Sequence, residues 1–286
     1  MRQLVAIVGL FSSHIAADAD GMRRIFLVRH AERLDHASPE WAAHASRPHD
    51  SPLSKLGVEQ AELSGEHLLG RKLVGTVYVR SSPLVRCVQT AAALTRSLGM
   101  PQHPVQIDEA LCEEEPYLRP RMMGTHRHSV PAGERVAVAP TCDAPRGVCQ
   151  PVLLRAGDLI SIHPHIDPTY CTSACVVAHD AVTGAELNGA SGLPQTAQQR
   201  AQAIVDHLDA VAPPGGTTVL VTHGAFARRL GEILIGEAWA NFGYAEAAEL
   251  VCDGGEDGSS FGPGAWRVVG RWAPAGDAGR STTRLD

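Results

Sequence analysis

Two unbroken apolar runs stand out in the pattern of hydrophobic and polar positions along the chain. They cover residues 25–28 and 218–221, and a histidine-containing polar segment follows each of them directly. An unbroken apolar run is typical of a strand buried on both faces, as in a parallel sheet covered by helices. We therefore predict strands at 24–28 and 218–221, and shorter runs predict further strands at 76–79, 105–107, 247–251 and 266–269.

Helical periodicity fills the segments between these strands. Apolar residues recur at helical spacing in four segments, which are 54–71, 83–98, 195–211 and 226–235. Ser54 is suited to cap the first helix and residues 81–83 to begin the second, while Gly99 is suited to end it. The alternation of strands and helices predicts a three-layer α/β/α sandwich around a mostly parallel sheet.

The alternation weakens between about residues 114 and 175, where proline, glycine, cysteine and histidine dominate. We predict a loop-rich lobe there, inserted into one domain over residues 22–272, with a flexible tail at 273–286. Residues 1–21 contain a short apolar run and then small residues around Ala19. They are interpreted either as a leader or as a signal peptide cleaved near Ala19. A cytoplasmic location is the prediction and secretion is the alternative.

Composition narrows the class of protein. The 286 residues are 44% hydrophobic and 20% charged, which is enough for one sizeable core. The formal net charge of −6 argues against non-specific nucleic-acid binding, and no apolar run is long enough for a membrane span. The seven cysteines are an odd number, and the four between 142 and 175 match no standard zinc spacing. We expect free thiols there, with disulfides or structural zinc as alternatives.

The candidate chemistry lies at the ends of the two buried strands. His30 follows the first strand and His223 follows the second. Ligands of open α/β sheets bind outside the carboxyl ends of the strands, so both histidines would face one crevice. Arg86 lies in or just after the first turn of the second predicted helix, where the helix dipole and the guanidinium both attract anions. The alternative is that these are packing histidines and a solvated arginine.

Four segments resemble, in order, the signatures of the histidine phosphatase superfamily, which includes the phosphoglycerate mutases. They are residues 27–33, 50–57, 81–91 and 221–225. A closer resemblance is to the suppressor of T-cell receptor signalling phosphatases and the ecdysteroid-phosphate phosphatases. It rests on Arg33 and on five further segments, which are 86–91, 166–170, 241–244, 249–250 and 265–266. The resemblance covers about residues 22–272 and implies a phosphoglycerate mutase-like fold.

The resemblance also implies roles for the residues of the motifs. His30 would be the nucleophile and form a phosphohistidine, for which its imidazole must be neutral. Neighbouring arginines favour the neutral form, since like charge lowers the pKa of an imidazole. Arg29, Arg86 and His223 would hold the phosphoryl oxygens, and Arg33 would add a further contact to phosphate or substrate. Alanine stands at position 31, where the family usually has glycine, and we expect it to be tolerated.

The leaving oxygen needs a general acid, which in this family is a carboxylate after the third strand. Glu113 fits that position best, although Glu114 and Glu115 beside it leave the register open. This mechanism needs no metal and no cofactor. His126 with His128, and His163 with His165, have the spacing of metal ligands, but neither pair lies on a predicted strand. No metal site is therefore predicted.

The function implied is a metal-independent phosphomonoester hydrolase that acts through a phosphohistidine on His30. The alternatives are a phosphoglycerate mutase-like phosphotransferase and a catalytically weak module that binds phosphorylated partners. The segment after Glu113 lacks the Tyr-Gly pattern of the family's mutases, which disfavours the first alternative. The substrate class stays open among small-molecule phosphates, aryl phosphates and phosphotyrosine proteins. A homodimer is a mild expectation from the resemblance, and neither nucleic acid nor membrane is an expected partner.

Overall fold

A mixed sheet organises the chain. The structure is a computed structural model that describes residues 22–48, 50–71, 73–113, 159–160, 162–167, 196–253 and 265–274. Seven strands lie within these ranges: β1 (Met22–Arg29), β2 (Val77–Ser81), β3 (Val105–Ile107), β4 (Ile166–Asp167), β5 (Thr217–Thr222), β6 (Ala247–Asp253) and β7 (Arg267–Trp272). Their spatial order is β4-β3-β2-β5-β1-β6-β7. The first five strands of this order pair in parallel, whereas the pairings of β1 with β6 and of β6 with β7 are antiparallel, which confirms a mostly parallel sheet.

Helices cover both faces of the sheet. The α-helices within the described ranges are α1 (Leu34–Ala37), α2 (Trp41–His44), α3 (Lys55–Leu69), α4 (Val85–Ser97), α5 (Ala197–Asp206), α6 (Leu208–Val211) and α7 (Gly224–Ile235). Side chains of β1 alternate between the two layers: Phe26 and Val28 pack with α3 and α4, whereas Leu27 packs with α5 and α7. This alternation is the period of a strand that is buried on both faces. The predicted three-layer sandwich is thus confirmed.

The start of α4 differs from the prediction. The helix begins at Val85 rather than at residues 81–83, and its N-cap residue Leu84 provides no side-chain hydrogen bond. The carboxylate of Asp50 takes this role instead, because its Oδ1 accepts the Val85 N–H at 2.8 Å. Ser82, predicted to lie at the helix start, directs its hydroxyl to His223 at 2.9 Å. A contact between distant residues thus replaces the local cap.

Two further differences concern segments predicted as loops. The loop after β1 contains the short helices α1 and α2, and an isolated bridge pairs Arg33 with Leu53. Within the predicted lobe, β4 adds an edge strand to the main sheet by pairing with β3. Apart from residues 159–160 and 162–167, the segment 114–175 lies outside the described residues, as do the segment 1–21 and the tail after residue 274.

Cysteine and membrane predictions are tested only in part. Three cysteines lie within the described ranges, and Cys87, Cys112 and Cys252 are all buried. The four cysteines between 142 and 175 lie outside those ranges. Among the helices of the described residues, none has the length and apolar character needed to cross a bilayer.

Candidate active site

The carboxyl ends of β1 and β5 bring the two histidines together. Arg29 pairs in register with Thr222, and the His30 N–H donates to the Thr222 carbonyl at 2.8 Å. The centroids of the His30 and His223 rings are therefore only 5.2 Å apart. Both side chains are buried. The two histidines are thus adjacent, as the sequence predicts.

One nitrogen of His30 has its protonation fixed by the backbone. Nδ1 lies 2.8 Å from the carbonyl oxygen of Ala31, which can only accept a hydrogen bond. Nδ1 therefore carries the proton in the neutral ring, and Nε2 keeps its lone pair. Burial holds the pKa of His30 well below its usual value, and the positive charges of Arg86, His223 and Arg29 lower it further. Such an imidazole is neutral, and hence nucleophilic, at physiological pH.

The backbone next to His30 accepts alanine without strain. Ala31 does not adopt a positive φ, so the residue has no need to be glycine. Its N–H donates to the hydroxyl of Thr90 on α4 at 3.1 Å, and Thr90 in turn donates to the Arg86 carbonyl. Thr90 thus connects the loop that contains His30 to the helix that carries Arg86.

Arg86, His223 and Glu113 form one contact group. Arg86 is fully buried, and its Nη2 lies 3.3 Å from His223 Nδ1 and 3.8 Å from Glu113 Oε2. Glu113 Oε2 is also 3.3 Å from His223 Nδ1. On the other side of the imidazole, Nε2 lies 2.9 Å from the Ser82 hydroxyl. The structure thus assembles three of the side chains to which the sequence assigns roles.

Arg29 lies beside this group and is held in place by the loop between α7 and β6. Its Nη1 donates to the Phe242 carbonyl at 2.6 Å, and its Cζ is 4.1 Å from the centroid of the Tyr244 ring. Gly224 leaves the necessary space, because a Cβ atom there would lie 3.1 Å from Arg29 Nε. The guanidinium contributes to lowering the pKa of His30, so its charge acts on that imidazole.

Glu113 is positioned by a residue far along the chain. It follows a short 3₁₀ helix (Glu109–Leu111), and Arg200 on α5 donates to the Cys112 and Glu113 carbonyls at 2.9 Å and 3.1 Å. The Thr222 hydroxyl donates to the carbonyl of Leu111 at 2.6 Å. These bonds fix the backbone that presents Glu113. Glu114 and Glu115 lie outside the described residues.

Arg33 has a second partner that the sequence analysis missed. Both carboxylate oxygens of Asp35 accept hydrogen bonds from its guanidinium, and the two side chains are buried. Arg33 also lies close enough to Arg86 for that charge to lower its pKa, although burial is the larger cause. The structure therefore places Arg33 near Arg86, with its charge balanced by Asp35.

The electrostatics of the site favour an anion over a cation. Within the described residues, His30, Glu113 and His223 have ligand atoms within 4.8 Å of one another, a spacing that a metal ion could use. However, Arg29 and Arg86 lie beside the same group, and His30 Nδ1 already donates to a carbonyl. The two guanidiniums oppose a divalent cation and attract a phosphoryl group. The His163 and His165 rings lie 5.6 Å apart, outside this group.

Comparison with protein families agrees with this geometry. The family model described as histidine phosphatase superfamily (branch 1) matches residues 25–116, which carry His30, Arg86 and Glu113. This match covers about a third of the chain. Among solved structures, the fold resembles the ecdysone phosphate phosphatase from Bombix mori in complex with tungstate. The TM-score is 0.51 at 20% identity, covering 92% of this chain and 98% of that one.

Curated relatives match only part of the chain. The probable phosphoglycerate mutase GpmB of Yersinia pestis (strain Pestoides F) is 28% identical over 127 residues. The match covers 40% of this chain and 56% of the relative. The same values hold for the corresponding protein of Yersinia pseudotuberculosis serotype O:1b (strain IP 31758). The chain thus spans little more than half the length of these relatives.

Residues missed by the sequence analysis are those that position the site. Asp50 and Thr90 lie inside the signature segments, but the sequence of these segments does not reveal which residues the two side chains contact. Arg200 had a visible signal, because it interrupts the predicted apolar face of α5 and is nevertheless buried. A buried arginine almost always has specific partners.

The lowered pKa of His30 predicts a measurable pH dependence. We expect its imidazole to titrate well below pH 6.5 in the folded protein and near 6.5 in the urea-unfolded chain, as followed by NMR. The unfolded state then binds a proton that the folded state does not, so stability falls as pH drops below about 6.5. The His30→Gln variant should show a shallower fall. A His30 resonance that titrates at 6.5 or higher in the folded protein would contradict the assignment.

Proposed function

We propose that this chain is a member of the histidine phosphatase superfamily and a metal-independent phosphomonoester hydrolase, which transfers the phosphoryl group to Nε2 of His30. One observation carries the proposal: the nucleophilic imidazole is held neutral, with its proton on Nδ1, inside a group of positive charges. A neutral nitrogen can attack phosphorus, while the surrounding cations stabilise the charge of the phosphoryl oxygens.

In the first step, the lone pair of His30 Nε2 attacks phosphorus and the bond to the ester oxygen breaks. Arg29, Arg86 and His223 hold the phosphoryl oxygens through this step. Their donors are prearranged by contacts within the protein, which avoids reorganisation during the reaction. The leaving oxygen receives the electron pair of the broken bond together with a proton from Glu113.

In the second step, water attacks the phosphohistidine. Glu113, now a carboxylate, removes a proton from the water, and the electron pair of the N–P bond returns to Nε2. Contacts with Arg86 and His223 hold the Glu113 carboxyl group in place for both steps. Inorganic phosphate leaves and the site is restored. Arg33 is proposed as a substrate contact at the rim, with its charge balanced by Asp35.

A second candidate function is a mutase-like phosphotransferase. The observation that favours it is the name of the Yersinia relatives, probable phosphoglycerate mutases. Both functions share the phosphohistidine and differ in what accepts the phosphoryl group. A catalytically weak phosphate-binding module is the remaining alternative.

The test is hydrolysis of p-nitrophenyl phosphate by the wild-type chain in EDTA. We expect release of phosphate at the same rate with and without EDTA, because arginines perform the role that a Lewis acid would have. Loss of activity in EDTA, restored by a divalent metal, would contradict a metal-independent mechanism. Phosphoryl transfer between phosphoglycerates that outpaces phosphate release would favour the mutase. Phosphate binding without turnover of any ester would favour the binding module.

A further inference from the structure

An aromatic side chain lies directly beside the nucleophile and is not used by the mechanism above. The ring of Tyr244 has its centroid 5.7 Å from that of His30. Tyr244 is half-buried, whereas His30 is almost fully buried. The tyrosine is therefore more accessible to solvent than the histidine beside it.

The orientation of Tyr244 is fixed from two sides. Its hydroxyl lies 2.5 Å from Nδ1 of His36, an exposed residue of α1. The two rings approach edge to face, with centroids 5.9 Å apart. Arg29 also contacts the Tyr244 ring, and its Cζ lies 4.1 Å from the ring centroid. Tyr244 and His36 together form an aromatic wall that runs from the nucleophile to the surface.

The backbone is bent to hold this wall. Ala245 has a φ of 53°, and it is the one non-glycine residue with a positive φ in the described ranges. Its N–H donates to the His30 carbonyl at 3.2 Å, and its carbonyl accepts from the Ser64 hydroxyl at 2.6 Å. An alanine persists in the left-handed region only where surrounding contacts enforce it, and such strain clusters at functional sites. Here the strained residue directly follows Tyr244 and is tied to His30.

From this arrangement we infer that Tyr244 and His36 form a subsite for the leaving group, and that it selects planar aromatic alcohols. The inference rests on the function proposed above. With phosphorus at His30 Nε2, the rest of the ester extends from the buried site along the aromatic wall to solvent. A flat aromatic ring gains more binding free energy from edge and face contacts with Tyr244 than a flexible alkyl chain does. Aryl phosphate monoesters are therefore the preferred substrate class.

The experiment compares two substrates across matched variants. The selectivity ratio is kcat/KM for phenyl phosphate divided by kcat/KM for glycerol 2-phosphate. We expect Tyr244→Leu to lower this ratio about tenfold, the effect of one lost aromatic contact pair. Tyr244→Phe should keep most of the ratio because it keeps the ring, and His36→Ala should lower it by a smaller factor. Tyr78→Leu, at a half-buried tyrosine on β2, is the matched control and should leave the ratio unchanged.

Inhibition by inorganic phosphate separates the possible outcomes. The inference predicts that Tyr244→Leu changes the ratio while the inhibition constant of phosphate changes less than about twofold. A parallel fall for both substrates, or an unchanged ratio, would overturn the subsite while leaving the proposed hydrolase intact. A wild-type chain that hydrolyses neither ester would overturn the proposed function itself, and the subsite with it.

Discussion

Replacing His30 by alanine is expected to lower kcat for phosphomonoester hydrolysis by about 10⁴-fold or more, the scale seen when a covalent nucleophile is removed. The variant keeps Arg29, Arg86 and His223, so the phosphoryl group still has its binding partners but no atom to accept it. We therefore expect kcat to fall far more than the affinity for inorganic phosphate. Steady-state kinetics and calorimetric titration with phosphate measure the two quantities separately.

The matched control is His103→Ala, at a half-buried histidine in the turn before β3. It should leave kcat unchanged. The fall in kcat would then be specific to His30 and not a general effect of removing a histidine. In wild type, a neutral quench during turnover should trap phosphate on the peptide that contains His30, as read by mass spectrometry. Residual activity within about tenfold of wild type, or phosphate on another residue, would contradict the role of His30.

Replacing Glu113 by glutamine should have an effect that depends on the leaving group. For an alkyl phosphate, we expect kcat to fall about 10²–10⁴-fold, because the alkoxide needs a proton as it departs. For p-nitrophenyl phosphate, the leaving group is stable as an anion, so phosphorylation of His30 should stay fast. The second step still lacks its base, so the phosphoenzyme should accumulate. Rapid mixing should then show a burst of p-nitrophenol followed by a slow steady state.

Glu114→Gln and Glu115→Gln provide controls with the same charge change at neighbouring positions. Both should retain wild-type kinetics with both kinds of ester, since the contacts with Arg86 and His223 are made by Glu113. If either control shows the burst and the loss while Glu113→Gln does not, the acid is misassigned by one or two residues. Equal losses for alkyl and aryl esters in Glu113→Gln would indicate a positioning role instead of proton transfer.

The sheet and the pairing of the two histidines were predictable because they follow from short-range rules. Unbroken apolar runs indicate strands buried on both faces, and parallel strands place their carboxyl ends at one edge. His30 and His223 each follow such a run directly, so their approach to 5.2 Å requires no further information. The short β4 could not be found in this way, because two residues carry no period.

The contacts that complete the site were not predictable because they join residues remote in sequence. Asp50 caps α4 from 35 residues away, which moves the helix start past the residues with the best local capping preference. Arg200 reaches the Cys112 carbonyl across 88 positions. Local propensity is a weak prior wherever tertiary contacts provide the same hydrogen bond. The aromatic wall of Tyr244 and His36 likewise spans 208 positions.

The place of β1 in the sheet has a consequence for synthesis on the ribosome. β1 lies between β5 and β6, so the strand that precedes His30 has neither sheet neighbour until residues 217–253 have been made. Such non-local pairing delays folding until late in translation, because the entropy of loop closure is lost before the stabilising contacts between distant strands can form. The apolar β1 therefore has no strand partner while about 190 further residues are synthesised. Chaperones would shield it during that period.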